Sequence, residues 1–345
     1  MMHRLIINLK SLMISSCFSP HFPPRSTFHN LHFHSKMSLP TLILIHGSWH
    51  GPICYDPIIK LLHGKYKLKC IAITLPSTTG NPDATFKNDL DTAREAISNE
   101  TEAGRDVIVL AHSYGGMVGN SAVKGFEQPV SATKGHVIGL ILIASGFSFT
   151  GLAFMDLFLG QTPPFFRVNK ETGFADLALP PRQFFYHDLS DDEAEYWVSQ
   201  LTHQNVKALF EGGEHVYSGW MDVPTWYIGT IEDQGLPVLA QRMAVGMARE
   251  MGGNIVHREM QTSHSPFLSK PEETVGIILE AVEAFSGKKV ARTASRNAVA
   301  VPEARLLQPL TWLKFGLPLL FGRIVGRGIL IFGFGGRMLR SIFGR

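Results

Sequence analysis

The chain has 345 residues, 45% of them apolar, with a formal net charge of +3, which is enough for one large packed domain with extensions. Residues 41–287 carry 17 basic and 28 acidic residues, a net of −11, whereas residues 1–40 carry four basic residues and no acid, and residues 288–345 carry eleven basic residues against Glu303 alone; an acidic body of this kind excludes nucleic acid as its partner. Three scattered cysteines (Cys17, Cys54 and Cys70) exclude a disulfide framework, and the absence of any C-x-x-C spacing leaves reduced thiols as the simplest reading.

Residues 1–36 are rich in Arg, Ser and His and free of acids. They read either as an untranslated or disordered extension or as a mitochondrial presequence, and Met37-Ser38-Leu39-Pro40 stands just before the first strand. That strand, 41–45, ends in the Gly-rich loop His46-Gly47-Ser48-Trp49-His50-Gly51. Further continuous apolar runs at 68–74, 107–111, 138–144, 225–230 and 254–259 predict parallel strands buried on both faces. Phe86, Leu90 and Ile97 predict a helix over 86–98. The run at 107–111 leads through Ala111-His112-Ser113-Tyr114-Gly115-Gly116 into a helical pattern, so a serine sits on a sharp strand-to-helix turn between small neighbours.

Over 147–219 the strand rhythm stops. Phe154–Leu159, Pro163–Phe166 and Phe184–Tyr186 give this insertion its own apolar content, and Ser190 with Glu193 predicts a capped helix over 191–201. After strand 225–230 comes the acidic turn Glu232-Asp233-Gln234-Gly235-Leu236-Pro237. After strand 254–259 comes Thr262-Ser263-His264-Ser265-Pro266-Phe267, followed by a helix with Val275, Ile278, Val282 and Phe285 on one face. Residues 288–305 read as a linker and 306–345 as a basic apolar tail. Arg323 and Arg327 interrupt a run of membrane-spanning length, which predicts interfacial contact instead of a span. Pro318 and the tail glycines predict short helical pieces and not one helix.

The loop 46–51, the Ser113 turn, the 232–237 turn and His264-Ser265-Pro266-Phe267-Leu268-Ser269-Lys270-Pro271 together resemble the α/β-hydrolases, in particular the group of plant methylesterases, hydroxynitrile lyases, pyrethroid-hydrolase-like esterases and fungal homologues. The resemblance covers most of residues 40–287. It implies an α/β fold with a mostly parallel central sheet, helices on both faces and an inserted cap. The core would comprise 37–146 and 220–287, and the cap 147–219. It further implies Ser113 as nucleophile, His264 as base and Asp233 as the triad acid, with adjacent Glu232 as rival. The oxyanion hole would use the backbone N–H groups of Ser48 and Tyr114. Gly47, Trp49 and Tyr114 are expected at the substrate, and His46 and His112 as structural histidines.

The expected activity is a serine carboxylesterase or lactonase acting on a small, partly apolar ester, with no cofactor and no metal. His46 and His50 lie four apart, but in a Gly-rich loop and not on a helix that would align them. A lyase of the hydroxynitrile type is the alternative; those enzymes carry Thr at the position of Gly47 and Lys at that of Ser265. A ligand receptor on the same fold and an acyl-transfer or cyclising enzyme of secondary metabolism are further readings. The expected location is intracellular, cytoplasmic or membrane-associated through 306–345.

Overall fold

A computed structural model describes residues 38–290 and 302–343, apart from positions 129, 132, 159, 304 and 306, with side chains described as far as Phe332. The extension 1–36, Cys17 and most of the 288–305 linker lie outside the described residues. The central sheet has six parallel strands in the order β2-β1-β3-β4-β7-β8. Its strands are β1 (Thr41–Ile45), β2 (Cys70–Ile73), β3 (Val107–His112), β4 (Val137–Ile143), β7 (Thr225–Thr230) and β8 (Ile255–Met260). These are the six apolar runs, shifted by at most two residues at an end. β1, β3 and β7 are buried along their whole length, as a parallel sheet covered on both sides requires.

The covering helices in the body are α1 (Asp56–Tyr66), α2 (Phe86–Glu102), α3 (Gly115–Ala122), α7 (Val238–Glu250), α8 (Pro266–Ser269) and α9 (Pro271–Ser286). A Cβ on Gly139 of β4 would overlap the Phe285 ring of α9, whereas Leu142 of the same strand meets Gly116 of α3. Residues at odd spacing along a strand point to opposite faces, so α9 and α3 cover opposite sides of the sheet. α2 begins in a capping box, with the Thr85 hydroxyl accepting from the Asn88 N–H, and continues one turn past the predicted end. α9 stops at Gly287, whose φ of 67° is open to glycine.

Between β4 and β7 lie the antiparallel pair β5 (Phe166–Val168) and β6 (Ala175–Leu177) and the helices α4 (Pro181–Phe185), α5 (Asp191–Ser199) and α6 (Val206–Phe210). This insertion is held to the body by Trp49, whose indole N–H donates to the Ala175 carbonyl at 2.7 Å and whose own carbonyl accepts from the Thr202 N–H at 2.7 Å. α5 forms as expected but ends at Ser199. Its Ser190 hydroxyl donates to the Glu193 carboxylate at 2.6 Å instead of capping a backbone N–H.

The tail departs from its expected form. After a helical turn (Pro309–Thr311) and a π-helical turn (Trp312–Gly316), one helix, α10, runs from Leu317 to Phe343. Residues Pro309–Phe332 are long and apolar enough to cross a membrane, with mean hydropathy 1.6. Pro318 is accommodated because it lacks the N–H that would bond the Lys314 carbonyl, and that carbonyl instead accepts from Arg242 Nη1 at 2.7 Å. The π-helical turn just before it makes room for the ring. Gly322 and Gly326 lie against α7, where a Cβ on Gly322 would overlap the Met243 carbonyl and one on Gly326 would come within 2.8 Å of the Met247 carbonyl. Gly246 of α7 meets the Leu319 backbone in the same way. Small residues thus let two helix backbones approach closely, and the glycines that weaken an isolated helix are the ones that dock this one.

Candidate active site

Ser113 sits between the end of β3 and the start of α3 with φ 51°. A non-glycine residue in this region is strained and persists only where its surroundings dictate it. Here the Ser113 N–H donates to the Ile143 carbonyl at 3.1 Å, and the Ser113 carbonyl accepts from the Gly116 N–H at 2.9 Å and the Ser145 hydroxyl at 2.7 Å. The turn is tightly enclosed: a Cβ on Gly115 would overlap the His46 carbonyl, and one on Gly116 the Ser145 hydroxyl. Ala111 fits where the usual motif has glycine because it faces Gly119, whose own Cβ would lie 3.0 Å from the alanine methyl.

The acidic turn and the late histidine meet, and His264 lines the same cavity as Ser113. His264 Nδ1 lies 2.7 Å from Asp233 Oδ2, with both side chains buried. Asp233 also accepts from the Gly235 and Leu236 N–H groups at 2.8 and 2.7 Å and from the Thr230 hydroxyl at 2.7 Å. Burial pushes its carboxyl up, but the charge and hydrogen bond of His264, with the hydrogen bonds of the Leu236 N–H and the Thr230 hydroxyl, outweigh this and leave it below the usual carboxylate range. Asp233 therefore stays ionised, and its hydrogen bond places a proton of the His264 ring on Nδ1. Glu232 is exposed and takes the side-chain amide of Gln261.

Three further buried histidines surround this pair. His46 Nδ1 donates to the Gly47 carbonyl, and its Nε2 accepts from the Leu75 N–H; burial lowers its pKa to about 4. His50 donates from Nδ1 to the Ser48 carbonyl and accepts the Tyr186 hydroxyl on Nε2, and burial lowers it to about 3. His112 donates from Nε2 to the His264 carbonyl at 3.0 Å, and burial, then the charges of His264 and His50, hold it far below its ordinary value. All three are neutral near pH 7. Among the described residues no group of three or more His, Cys, Asp or Glu is placed to hold a metal ion.

The backbone N–H groups of Ser48 and Tyr114 find no acceptor among the described residues, and both residues line the cavity that contains Ser113 and His264. Trp49, at φ 60°, lines it as well. Gly47, expected at the substrate, does not. A Cβ there would sit 2.9 Å from both His112 Nδ1 and the Ser113 Cβ, so Gly47 lets the loop pass close behind the serine turn. The cavity measures about 750 Å³ and is walled chiefly by Phe154, Phe158, Phe165, Phe166, Phe184 and Leu236, with no Asp, Glu, Lys or Arg among its lining residues.

Sequence reasoning missed the polar supports behind this site. The Asp89 carboxylate accepts from the Ser77 N–H and hydroxyl at 2.8 and 2.6 Å and from the Tyr114 hydroxyl at 2.8 Å. It thereby anchors the side chain of the residue after Ser113. A signal was present, since Asp89 falls on the apolar face of α2 beside Phe86 and Leu90, where an acid needs partners. Gln241 of α7 similarly bridges the Thr230 carbonyl and the Asp233 carboxylate at 3.2 and 3.3 Å.

The chain belongs to the alpha/beta hydrolase family, whose model matches residues 42–277. It is 27% identical over 249 residues to alpha/beta hydrolase nvfD of Aspergillus novofumigatus, covering 71% of this chain and 97% of the relative. It is 23% identical over 267 residues to a pyrethroid hydrolase of Sphingobium wenxiniae, covering 72% and 89%. Among solved structures, polyneuridine aldehyde esterase superposes with a TM-score of 0.57 at 18% identity over 71% of this chain and 99% of that one. Tomato methylketone synthase I in complex with 2-tridecanone superposes with a TM-score of 0.56 at 16% identity over 72% and 99%. At these identities the structures share the fold; the curated relatives are hydrolases.

Proposed function

We propose that this hydrolase is a serine carboxylesterase or lactonase that cleaves a small, neutral, largely apolar ester through an acyl-enzyme. The observation that carries this reading is the cavity: its lining holds Ser113, His264 and the residues of two unpartnered N–H groups, and the remainder is mostly apolar with no Asp, Glu, Lys or Arg. The Ser113 hydroxyl attacks the ester carbonyl carbon while His264 Nε2 takes its proton, and Asp233 stabilises the resulting imidazolium. The Ser48 and Tyr114 N–H groups donate to the oxyanion as charge develops there. His264 then returns the proton to the departing alkoxide oxygen. Water, deprotonated by His264, attacks the acyl-Ser113 carbonyl; the C–Oγ bond breaks, His264 returns the proton to Ser113 Oγ, and the acid is released. Substrate recognition is by shape and apolar contact, because a charged ester would lose its hydration without a counter-charge. A hydroxynitrile lyase is disfavoured, as Ser265 and the cavity lining supply no cation for a cyanide leaving group. The test is turnover of p-nitrophenyl esters of graded chain length. Hydrolysis abolished by a serine-directed phosphonate supports the reading, whereas binding of such esters with no turnover points to a receptor.

A further inference from the structure

We propose that the outer face of α10 and its lead-in is a docking surface for an anionic lipid membrane, along which the hydrolase body is held without being threaded through it. The inner face of α10 is already used against α7, through the Gly246, Gly322 and Gly326 contacts and the Arg327–Glu250 ion pair at 2.7 Å. At its start, Arg242 donates to the Lys314 carbonyl and stacks on the Phe315 ring 3.9 Å from its centre, while a two-point ion pair to Glu259 holds that arginine. Detaching the helix to span a bilayer would uncover all of these groups.

The opposite face has no such partner among the described residues. Leu313, Leu317, Leu320, Ile324 and Ile331, spaced three, four or seven apart, form one stripe with exposures of 40% to 65%. The stripe extends some 27 Å at the rise of an α-helix. Two observations assign it to lipid and not to a second copy. No acid occurs from residue 304 to the end of the chain, whereas Arg305, Lys314, Arg323, Arg327, Arg337, Arg340 and Arg345 do; pairing two such helices would set cations against cations, and an anionic surface would neutralise them. Arg323 on the flank of the stripe also stands near Arg249, whose pKa is lowered by burial and then by the Arg323 charge, and neither of these neighbouring cations has an ion-pair partner among the described residues. An apolar stripe flanked by arginines is the pattern of a helix lying in a lipid interface.

The test uses the full chain and does not depend on the hydrolase reading. Flotation is measured with vesicles containing phosphatidylglycerol and with pure phosphatidylcholine, and circular dichroism verifies each variant's fold. The full chain is expected to float with the anionic vesicles and to be released by high salt or alkaline carbonate. Leu320→Asp with Ile324→Asp should abolish flotation, and Arg323→Gln should weaken it about fivefold. Failure of the full chain to float, or flotation unaffected by the double variant, overturns the proposal. So does retention after carbonate, which indicates a span. So does a concentration-dependent dimer in light scattering that the double variant dissolves while vesicle binding is absent, which assigns the face to a second copy.

Discussion

The turn around Ser113 and the seam between α7 and α10 use the same device for opposite ends. In both, glycines stand where a Cβ would strike a neighbouring backbone or side chain: Gly115 and Gly116 against His46 and Ser145, and Gly246, Gly322 and Gly326 across the helix pair. At the turn, close packing holds a strained serine at a cavity with no Asp, Glu, Lys or Arg in its lining, backed by the hydrogen-bonded Asp89 and Gln241 side chains. At the seam, it seats a helix whose other side is left apolar and open to solvent. The contrast teaches that a missing side chain has no meaning of its own; what it allows to approach decides whether the result is a site or a surface.

The sharpest way to break this comparison is at the serine. Ser113→Ala should lower ester turnover by about four to six orders of magnitude and leave the melting temperature unchanged; a variant retaining a tenth of wild-type kcat would remove Ser113 from the chemistry. Next, Asp233→Asn should lower kcat about 10⁴-fold by allowing the wrong His264 tautomer, while Glu232→Gln stays within about twofold of wild type. The reverse ranking would transfer the role to Glu232.

A smaller effect tests the support behind the turn. Burial pushes the Asp89 carboxyl up to about 6 from 3.8, even against its hydrogen bonds to Ser77 and Tyr114. Because the folded value lies above the ordinary one, the fold favours the protonated form. This group's contribution is therefore full below about pH 4 and is lost as pH rises through 6. Urea melts should show the stability of wild type relative to Asp89→Asn falling by about 3 kcal/mol between pH 4 and 7. A flat difference would mean that Asp89 titrates as a surface acid.

At the seam, Gly322→Leu should lift α10 from α7 and raise the rate of tryptic cleavage at Arg323 and Arg327 about tenfold, with ester turnover by the body unchanged. Equal cleavage rates would show that the glycine contact does not hold the helix. The smallest effect is expected for Ser48→Ala, because the group that matters there is the backbone N–H. Turnover should stay within about twofold of wild type, and a loss of a hundredfold would transfer the role to the hydroxyl.

Much of this was legible without coordinates wherever local pattern and tertiary role agree. Continuous apolar runs are what a strand buried on both faces needs, so the strands were readable to within two residues, and small residues around Ser113 mark a turn with no room for side chains. The choice between Asp233 and Glu232 could not be read that way, since adjacent acids in a turn are chemically equal until one faces a histidine 31 residues away. Nor could the place of Gly47, which looks like a loop for substrate and serves as clearance behind Ser113. The tail shows the limit most clearly. Helix propensity describes an isolated chain in water, where Pro318 and the glycines are breakers. Once α7 is present, its Arg242 takes the carbonyl left free by the proline and its backbone fills the space at the glycines, so the same residues stabilise the helix they were expected to interrupt.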